Sequence, residues 1–303
     1  MKIVFMGTPD FAVASLKALV ESGKEVVAVI TAPDKPSGRG LVMNETPVKK
    51  YAVSQGIPVL QPEKLKNPEF LEQLRSYQAD LQIVVAFRML PEVVWNMPRL
   101  GTFNLHGSLL PQYRGAAPIN WAVINGETET GVTTFFLQHE IDTGNVIFAE
   151  KTPILPEDNA GTIHDKLMEI GAGLVVKTVE AIEAGNYPQI PQDMSAELKS
   201  APKIFKETCQ IDWNLSAEKI HNFVRGLSPY PAAWTTLNDK TCKIYKTEIG
   251  ETADDSAEIG SFKTDGKTYL DFRSADKWVK IKELQLEGKK RMGIEEFLRG
   301  FRA

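Results

Sequence analysis

Cysteine is scarce in this 303-residue chain: Cys209 and Cys242 are its only two. They supply neither a disulfide framework nor the clustered thiolates and imidazoles of a zinc site. Long apolar runs are missing as well. None approaches the ~18 residues that a membrane-spanning helix needs. The opening Met1-Lys2-Ile3-Val4-Phe5-Met6-Gly7 has neither the apolar length nor the small-residue cleavage site of a secretory leader. The expectation is a reduced, cytoplasmic, metal-free protein. A strong charge of one sign is also absent. Lys and Arg number 35 against 39 Asp and Glu, for a net charge of −4, so the chain as a whole lacks the cationic character of a nucleic-acid-binding protein. Finally, the turn Gly7-Thr8-Pro9-Asp10 has one glycine where a dinucleotide fingerprint needs three, and its proline removes an amide that would meet a pyrophosphate. A nicotinamide dehydrogenase is therefore poorly supported.

What is present describes a two-domain α/β protein. The length suits two cores. Ile3–Met6 reads as a buried strand, and Thr8-Pro9-Asp10 as a helix start, with Thr8 as cap and Pro9 in the first turn. Apolar residues then keep helical spacing up to Gly23. Val26–Ile30, Leu81–Ala86 and Thr102–Leu105 read as further strands, with helical stretches near Phe70–Tyr77 and Pro91–Trp95. This is the pattern of a doubly wound fold with a largely parallel sheet. Beyond Gly131, Val132–Leu137 and Val146–Ile154 read as strands, and a long helix with Ile163, Leu167, Ile170 and Leu174 on one face runs towards Gly185. A first domain over 1–186, a Pro-containing linker over 187–208 and a small β-rich domain over 209–303 are expected, the last opening with a helix at Ser216–Arg225. Charge is uneven between them. Lys277 to Arg302 holds eight basic and four acidic side chains, either a footprint for phosphate or a solvated surface.

Ligands of open α/β sheets gather at the carboxyl ends of the strands. The richest such end is Thr102-Phe103-Asn104-Leu105-His106-Gly107-Ser108. Alternation puts Asn104 and His106 on one face of the strand, where an amide and an imidazole could converge on one substrate atom or simply satisfy loop backbone. Asp142, in the Gly-containing loop Ile141-Asp142-Thr143-Gly144, could reach the same strand ends and orient the ring. Amide, imidazole and carboxylate are the parts of an acyl transfer to an amine. In it, Asn104 donates to the oxyanion and His106 handles protons. No Ser or Cys stands out as a covalent nucleophile.

These residues resemble those of the folate-dependent formyltransferases. The resemblance is carried by Asn104-Leu105-His106-Gly107-Ser108-Leu109-Leu110-Pro111, Tyr113-Arg114-Gly115-Ala116-Ala117-Pro118-Ile119, Gly126-Glu127-Thr128-Glu129-Thr130-Gly131-Val132-Thr133 and Ile141-Asp142-Thr143-Gly144. It extends through Ala201-Pro202-Lys203-Ile204 and Gly226-Leu227-Ser228-Pro229-Tyr230-Pro231-Ala232-Ala233-Trp234 to most of the chain. It implies a Rossmann-like formyl-transfer domain followed by an OB-like β-barrel. The implied reaction moves a formyl group from 10-formyltetrahydrofolate, as co-substrate, to the amino group of a methionyl-initiator tRNA. A monomer is expected. It further implies catalytic roles for Asn104, His106 and Asp142. Folate contacts are implied at Ser108, Leu109, Leu110 and Pro111, and tRNA contact at Arg39 in the loop Asp34–Gly40. The strand-end loop Arg88-Met89-Leu90 departs from the glycine common there and is a further candidate for the folate, as Lys289, Lys290 and Arg291 are for tRNA phosphates. Leu41-Val42 replaces the lysines that many relatives carry after the Gly-Arg-Gly turn. Alternatives are a formyltransferase for a nucleotide-linked aminosugar or another small amine, a formyl-folate hydrolase, and a non-enzymatic nucleic-acid-binding module.

Overall fold

In a computed structural model, residues 1–37 and 40–302 are described. The chain runs β1 (Lys2–Gly7), α1 (Asp10–Glu21), β2 (Glu25–Ile30), β3 (Lys35–Ser37), β4 (Val42–Asn44), α2 (Pro47–Ser54), β5 (Val59–Leu60), α3 (Pro68–Ser76), β6 (Leu81–Val85), α4 (Glu92–Trp95) and β7 (Thr102–His106). There follow β8 (Arg114–Gly115), α5 (Pro118–Ile124), β9 (Glu129–Phe136), β10 (Val146–Pro153), α6 (Ala160–Glu183) and β11 (Ser200–Ala201). The remainder comprises α7 (Ala217–Leu227), β12 (Ala233–Leu237), β13 (Lys240–Thr252), β14 (Phe262–Thr264), β15 (Leu270–Arg273), β16 (Lys277–Leu286), β17 (Met292–Gly293) and α8 (Ile294–Leu298).

Packing divides these elements into two units. The first comprises Met1–Gly115, Gly131–Thr152 and His164–Ser200. Its seven-stranded sheet has the order β10-β9-β7-β6-β1-β2-β5. The pairs β1–β2, β1–β6, β6–β7 and β2–β5 are parallel, and β7–β9 is antiparallel. Ile3, Val4, Phe5 and Met6, like Leu81, Ile83, Val84 and Val85, are buried without a break, as strands covered on both faces must be. The chain builds outward from β1 through β2 to β5, then returns to β6 on the other side of β1. That reversal opens a crevice at the carboxyl ends of β1 and β6, next to the end of β7. Gly23 and Gly185, both at positive φ, follow the ends of α1 and α6, a conformation that costs glycine little. Thr8 does not cap α1. Pro9 occupies the boundary position, one residue later than Thr8 requires, and the Thr8 hydroxyl instead accepts from the Ala32 N–H at 3.4 Å.

The second unit comprises Ala116–Thr130, Pro153–Ile163 and the chain from Ala201 onward. Its antiparallel sheet runs β12-β13-β16-β15-β14, with β17 beside β16. Irregularities interrupt the β13–β16 register, and such bulges bend and twist a long ladder. Trp213 stacks on Phe272 at 4.6 Å and donates its indole N–H to Thr235 at 3.0 Å. Ile220, Val224 and Leu227 of α7 close the same core. Sequence order alone places α5 with the first domain, yet it packs in this unit, against α7. Asn120 donates to the Gly226 carbonyl at 2.9 Å, and a Cβ at Gly226 would lie 2.5 Å from Ile124, so a glycine lets the two helices approach. Among the described residues no helix is long and apolar enough to cross a membrane.

Candidate active site

The end of β7 presents its polar residues as alternation requires. Asn104 pairs with Val84 on one side and Phe135 on the other. Two positions on, about 6.7 Å along the strand, lies His106. The Asn104 carboxamide has no hydrogen-bond partner among the described residues, so its donors are free for a ligand. His106 is 7% exposed and fixed on three sides. Its Nε2 lies 2.8 Å from the Tyr113 carbonyl oxygen. A carbonyl only accepts, so Nε2 carries a hydrogen and Nδ1 is the nitrogen left to exchange a proton. Nδ1 lies 3.9 Å from Asp142 Oδ2, and the ring meets Phe135 edge-on at 6.4 Å.

Asp142 reaches this position through a strained loop. Its φ is +56°, a left-handed conformation that aspartate tolerates better than most residues. Its Oδ2 accepts from the Gly115 N–H at 3.0 Å. Two residues later, Gly144 lies so close to β9 that a Cβ would sit 1.6 Å from the Phe136 carbonyl oxygen. Only glycine fits there.

The candidates on either side fall into different environments. Ser108 is fully buried, and its hydroxyl donates to the Gln112 carbonyl at 2.6 Å. It shapes the loop. Thr133, on β9, holds the same turn by donating to the Ser108 carbonyl at 2.7 Å and accepting from the Leu110 N–H at 3.2 Å. Leu109, Leu110 and Pro111 remain partly accessible, with a cis peptide between the last two. Leu90, a folate candidate, packs its side chain in the core with Val84 and Val94. Met89 is 71% exposed. Arg88 donates to the Pro62 and Glu63 carbonyls, so it braces two loops. The root of the β3–β4 hairpin is pinned by Asp34, whose carboxyl is held below the usual range by hydrogen bonds from Lys49 at 2.6 Å and Gln61 at 2.7 Å. Arg39 lies outside the described residues.

In the second unit Arg291 makes a bidentate pair with Glu283 at 2.5 and 3.0 Å and covers the Tyr245 ring at 4.1 Å, so its charge is already compensated. Lys290 pairs with Glu296 at 3.2 Å, and Lys289 lies over Phe297. A cavity of about 770 Å³ in this unit is lined by Lys203, Lys206 and Lys243 together with Tyr230 and Trp234.

The sequence reading missed Gln192 and Arg114. Gln192 Nε2 donates to the carbonyl oxygens of Asp142 and Gly144 at 2.8 and 2.9 Å, while its Oε1 accepts from Arg114 at 2.6 and 3.2 Å. Arg114 stands in a recognised motif. Gln192 carried no local signal, standing in a stretch that reads as linker. Among the described residues no group of His, Cys, Asp or Glu is arranged to hold a metal ion.

Two family models match the chain: formyl transferase over residues 1–179, and the formyl transferase C-terminal domain over 203–302. The methionyl-tRNA formyltransferase of Parabacteroides distasonis is 61% identical over all of this chain and 96% of its own length. That of Bacteroides fragilis is 58% identical over 99% of this chain and 95% of its own. Among solved structures, that of WlaRD, a sugar 3N-formyl transferase, superposes with a TM-score of 0.67 at 20% identity, covering 96% of this chain and 99% of that one, a likeness of fold. With the formyl transferase model matched over residues 1–179 and relatives at about 60% identity along the whole length, this chain belongs to the formyl transferase family.

Proposed function

We propose that the chain transfers a formyl group from 10-formyltetrahydrofolate to the amino group of methionyl-initiator tRNA, acting as a cytoplasmic monomer. The observation that carries the chemistry is His106, buried at the strand end with Nε2 committed to the Tyr113 carbonyl and Nδ1 turned to Asp142. High identity to methionyl-tRNA formyltransferases along the whole length favours a tRNA acceptor. The aminosugar enzymes share only the fold, at 20% identity. In this reading residues 1–186 carry formyl transfer, 187–208 link, and 209–303 contact tRNA.

The neutral methionyl amine attacks the formyl carbon. A C–N bond forms, and the carbonyl oxygen takes up negative charge. The free donors of Asn104 stabilise that oxyanion, as donors fixed in advance of the reaction do without reorganisation. As the bond to N10 of the folate breaks, a proton passes from the attacking amine to the leaving nitrogen. His106 Nδ1 is the atom placed to exchange it, and the Asp142 carboxylate stabilises the ring while it is charged. The partly accessible Leu109, Leu110 and Pro111, with Met89, form the apolar side of the folate site, which Ser108, Arg88 and Leu90 hold in shape. On the tRNA side, Arg39, Lys289 and Lys290 are assigned to phosphate contact, with a smaller share for Arg291, whose bidentate pair with Glu283 is the tightest of the ion pairs here. The lysine- and aromatic-lined cavity of the second unit agrees with a nucleic-acid partner, since among the described residues Lys203, Lys206 and Lys243 have no carboxylate partner.

The test follows the labelled formyl group from 10-formyltetrahydrofolate in the presence of methionyl-tRNA, an aminosugar nucleotide or water alone. Formylated methionyl-tRNA is expected as the main product. Removal of one oxyanion donor costs roughly 10²–10³ in rate, so Asn104→Ala and His106→Ala should each lower kcat at least that far in folded protein. Near-parental turnover in either would reject its assignment, and label passing only to the aminosugar or to water would reject the substrate.

A further inference from the structure

The segment 187–200 does more than connect. Val146 and Ile190 form an antiparallel bridge, with reciprocal backbone hydrogen bonds of 2.8 and 2.9 Å. That bridge fixes the segment against the start of β10 and delivers Gln192 two residues later. Further along, the Lys199 carbonyl accepts from the Tyr113 N–H at 2.6 Å, and Gln112 exchanges two hydrogen bonds with the backbone of Glu197 and Lys199, at 3.0 and 2.9 Å. The strap thus grips both loops that face His106: the one ending in Asp142 and the one supplying the Tyr113 carbonyl.

We propose that Gln192, seated by Arg114, is a positioning residue for formyl transfer, acting through Asp142. The proposal rests on the reading of Asp142 as part of the catalytic group. Its chemistry is a matter of valence. The side-chain NH2 of Gln192 has two hydrogens, and both are used, one on the Asp142 carbonyl and one on the Gly144 carbonyl. This closes a ring across the left-handed turn at Asp142 and opposes its relaxation. The single acceptor, Oε1, takes two donors of the Arg114 guanidinium, and this settles which way the amide faces, since a flipped amide would set NH2 against guanidinium and oxygen against two carbonyls. Arg114 directly precedes Gly115, whose N–H holds the Asp142 carboxylate. Backbone and side chain of Asp142 are therefore anchored by one continuous hydrogen-bonded unit. No other residue supplies these donors among the described residues.

The experiment is a double-mutant cycle in the full chain, with kcat and both KM values measured for formylation of methionyl-tRNA. The expected result for Gln192→Ala is a loss of roughly 10- to 100-fold in kcat, the cost of a displacement near 1 Å at the reacting centre, with each KM within about threefold of the parent. Combined with Asp142→Asn, it should add less than about twofold, because its effect is transmitted through the carboxylate already removed. A residue that merely stabilises the fold would show its full loss on both backgrounds. Full additivity, an effect confined to KM, or a parental kcat in Gln192→Ala would each overturn the proposal. If Gln192→Ala does not fold, Gln192→Glu keeps the length and the Arg114 contact while removing both donors, and the same loss and the same failure to add are expected. Parental activity in that variant would overturn the proposal equally. A parental kcat in Asp142→Asn would sink the reading of Asp142 and this proposal with it. A slow Asp142→Asn beside an unaffected Gln192→Ala would sink this proposal alone.

Discussion

Gly144→Ala is the smallest change that the loop bearing Asp142 should fail to absorb. The added Cβ would sit 1.6 Å from the Phe136 carbonyl oxygen and 2.8 Å from its carbon. Real contacts of this kind begin near 3.0–3.4 Å, so loop and strand must separate by roughly 1.5 Å, more than a close-packed interior yields freely. The obstacle is backbone and cannot rotate away. Gly144 does not adopt a positive φ, so the cost is steric. Separation breaks the Phe136 N–H to Asn145 carbonyl hydrogen bond of 3.1 Å and the Gln192 contact to the Gly144 carbonyl. At about 0.5–1.5 kcal/mol per hydrogen bond the stability loss is about 1–3 kcal/mol. The effect on catalysis is larger. A carboxylate displaced by 1 Å or more from His106 should cost on the order of 10² in kcat, equivalent to about 2.7 kcal/mol. Initial rates of formyl transfer and urea unfolding would be measured together. Gly173→Ala on α6 is the control, because a Cβ there meets nothing within 4 Å. It should leave the rate unchanged and stabilise the chain by about 0.5–1 kcal/mol. A Gly144→Ala enzyme within threefold of the parental kcat would refute the claim that this loop's placement governs the chemistry.

Three further outcomes are expected. Affinity for methionyl-tRNA should fall steeply with salt, and Lys289→Ala or Lys290→Ala should each reduce the log–log slope by about one. A response flat between low and moderate salt would refute phosphate contact by these lysines. Cys209 and Cys242 are buried, and burial pushes both thiols up, Cys242 to about 12. A thiol reagent at pH 8 should therefore label neither in the folded chain and both after unfolding. The unfolded chain ionises its thiols near pH 8.5 while the folded one does not, so unfolding releases protons and stability should fall as pH rises from about 8.5 towards 12. Rapid labelling of the native chain, or stability that climbs through that range, would contradict the burial.

Much of this protein was legible in its residues. The apolar run Ile3–Met6 and the mostly apolar Leu81–Val85, broken only by Gln82, read as strands covered on both faces, and helical spacing between them calls for crossovers, so the pattern points to a parallel sheet. Alternation along Thr102–His106 put Asn104 and His106 on one face. The side of a residue is set by backbone geometry two bonds away, which no distant contact can alter. The sequence motifs likewise carried the family. The tertiary structure decided which of several available uses each polar or apolar group serves. Ser108 and Leu90 read as candidate ligand contacts, and the structure adds that the Ser108 hydroxyl donates to the Gln112 carbonyl and that the leucine side chain packs in the core. Neither outcome has a local signal. Placing α5 with α7 needed Gly226, about a hundred residues on, to leave room for Asn120 and Ile124. Gln192 needed the Val146–Ile190 bridge to bring it to the Asp142 carbonyl. Local propensity acts over a few residues, whereas a hydrogen bond from a side chain to a backbone carbonyl fifty residues away exists only once the intervening sheet has been built.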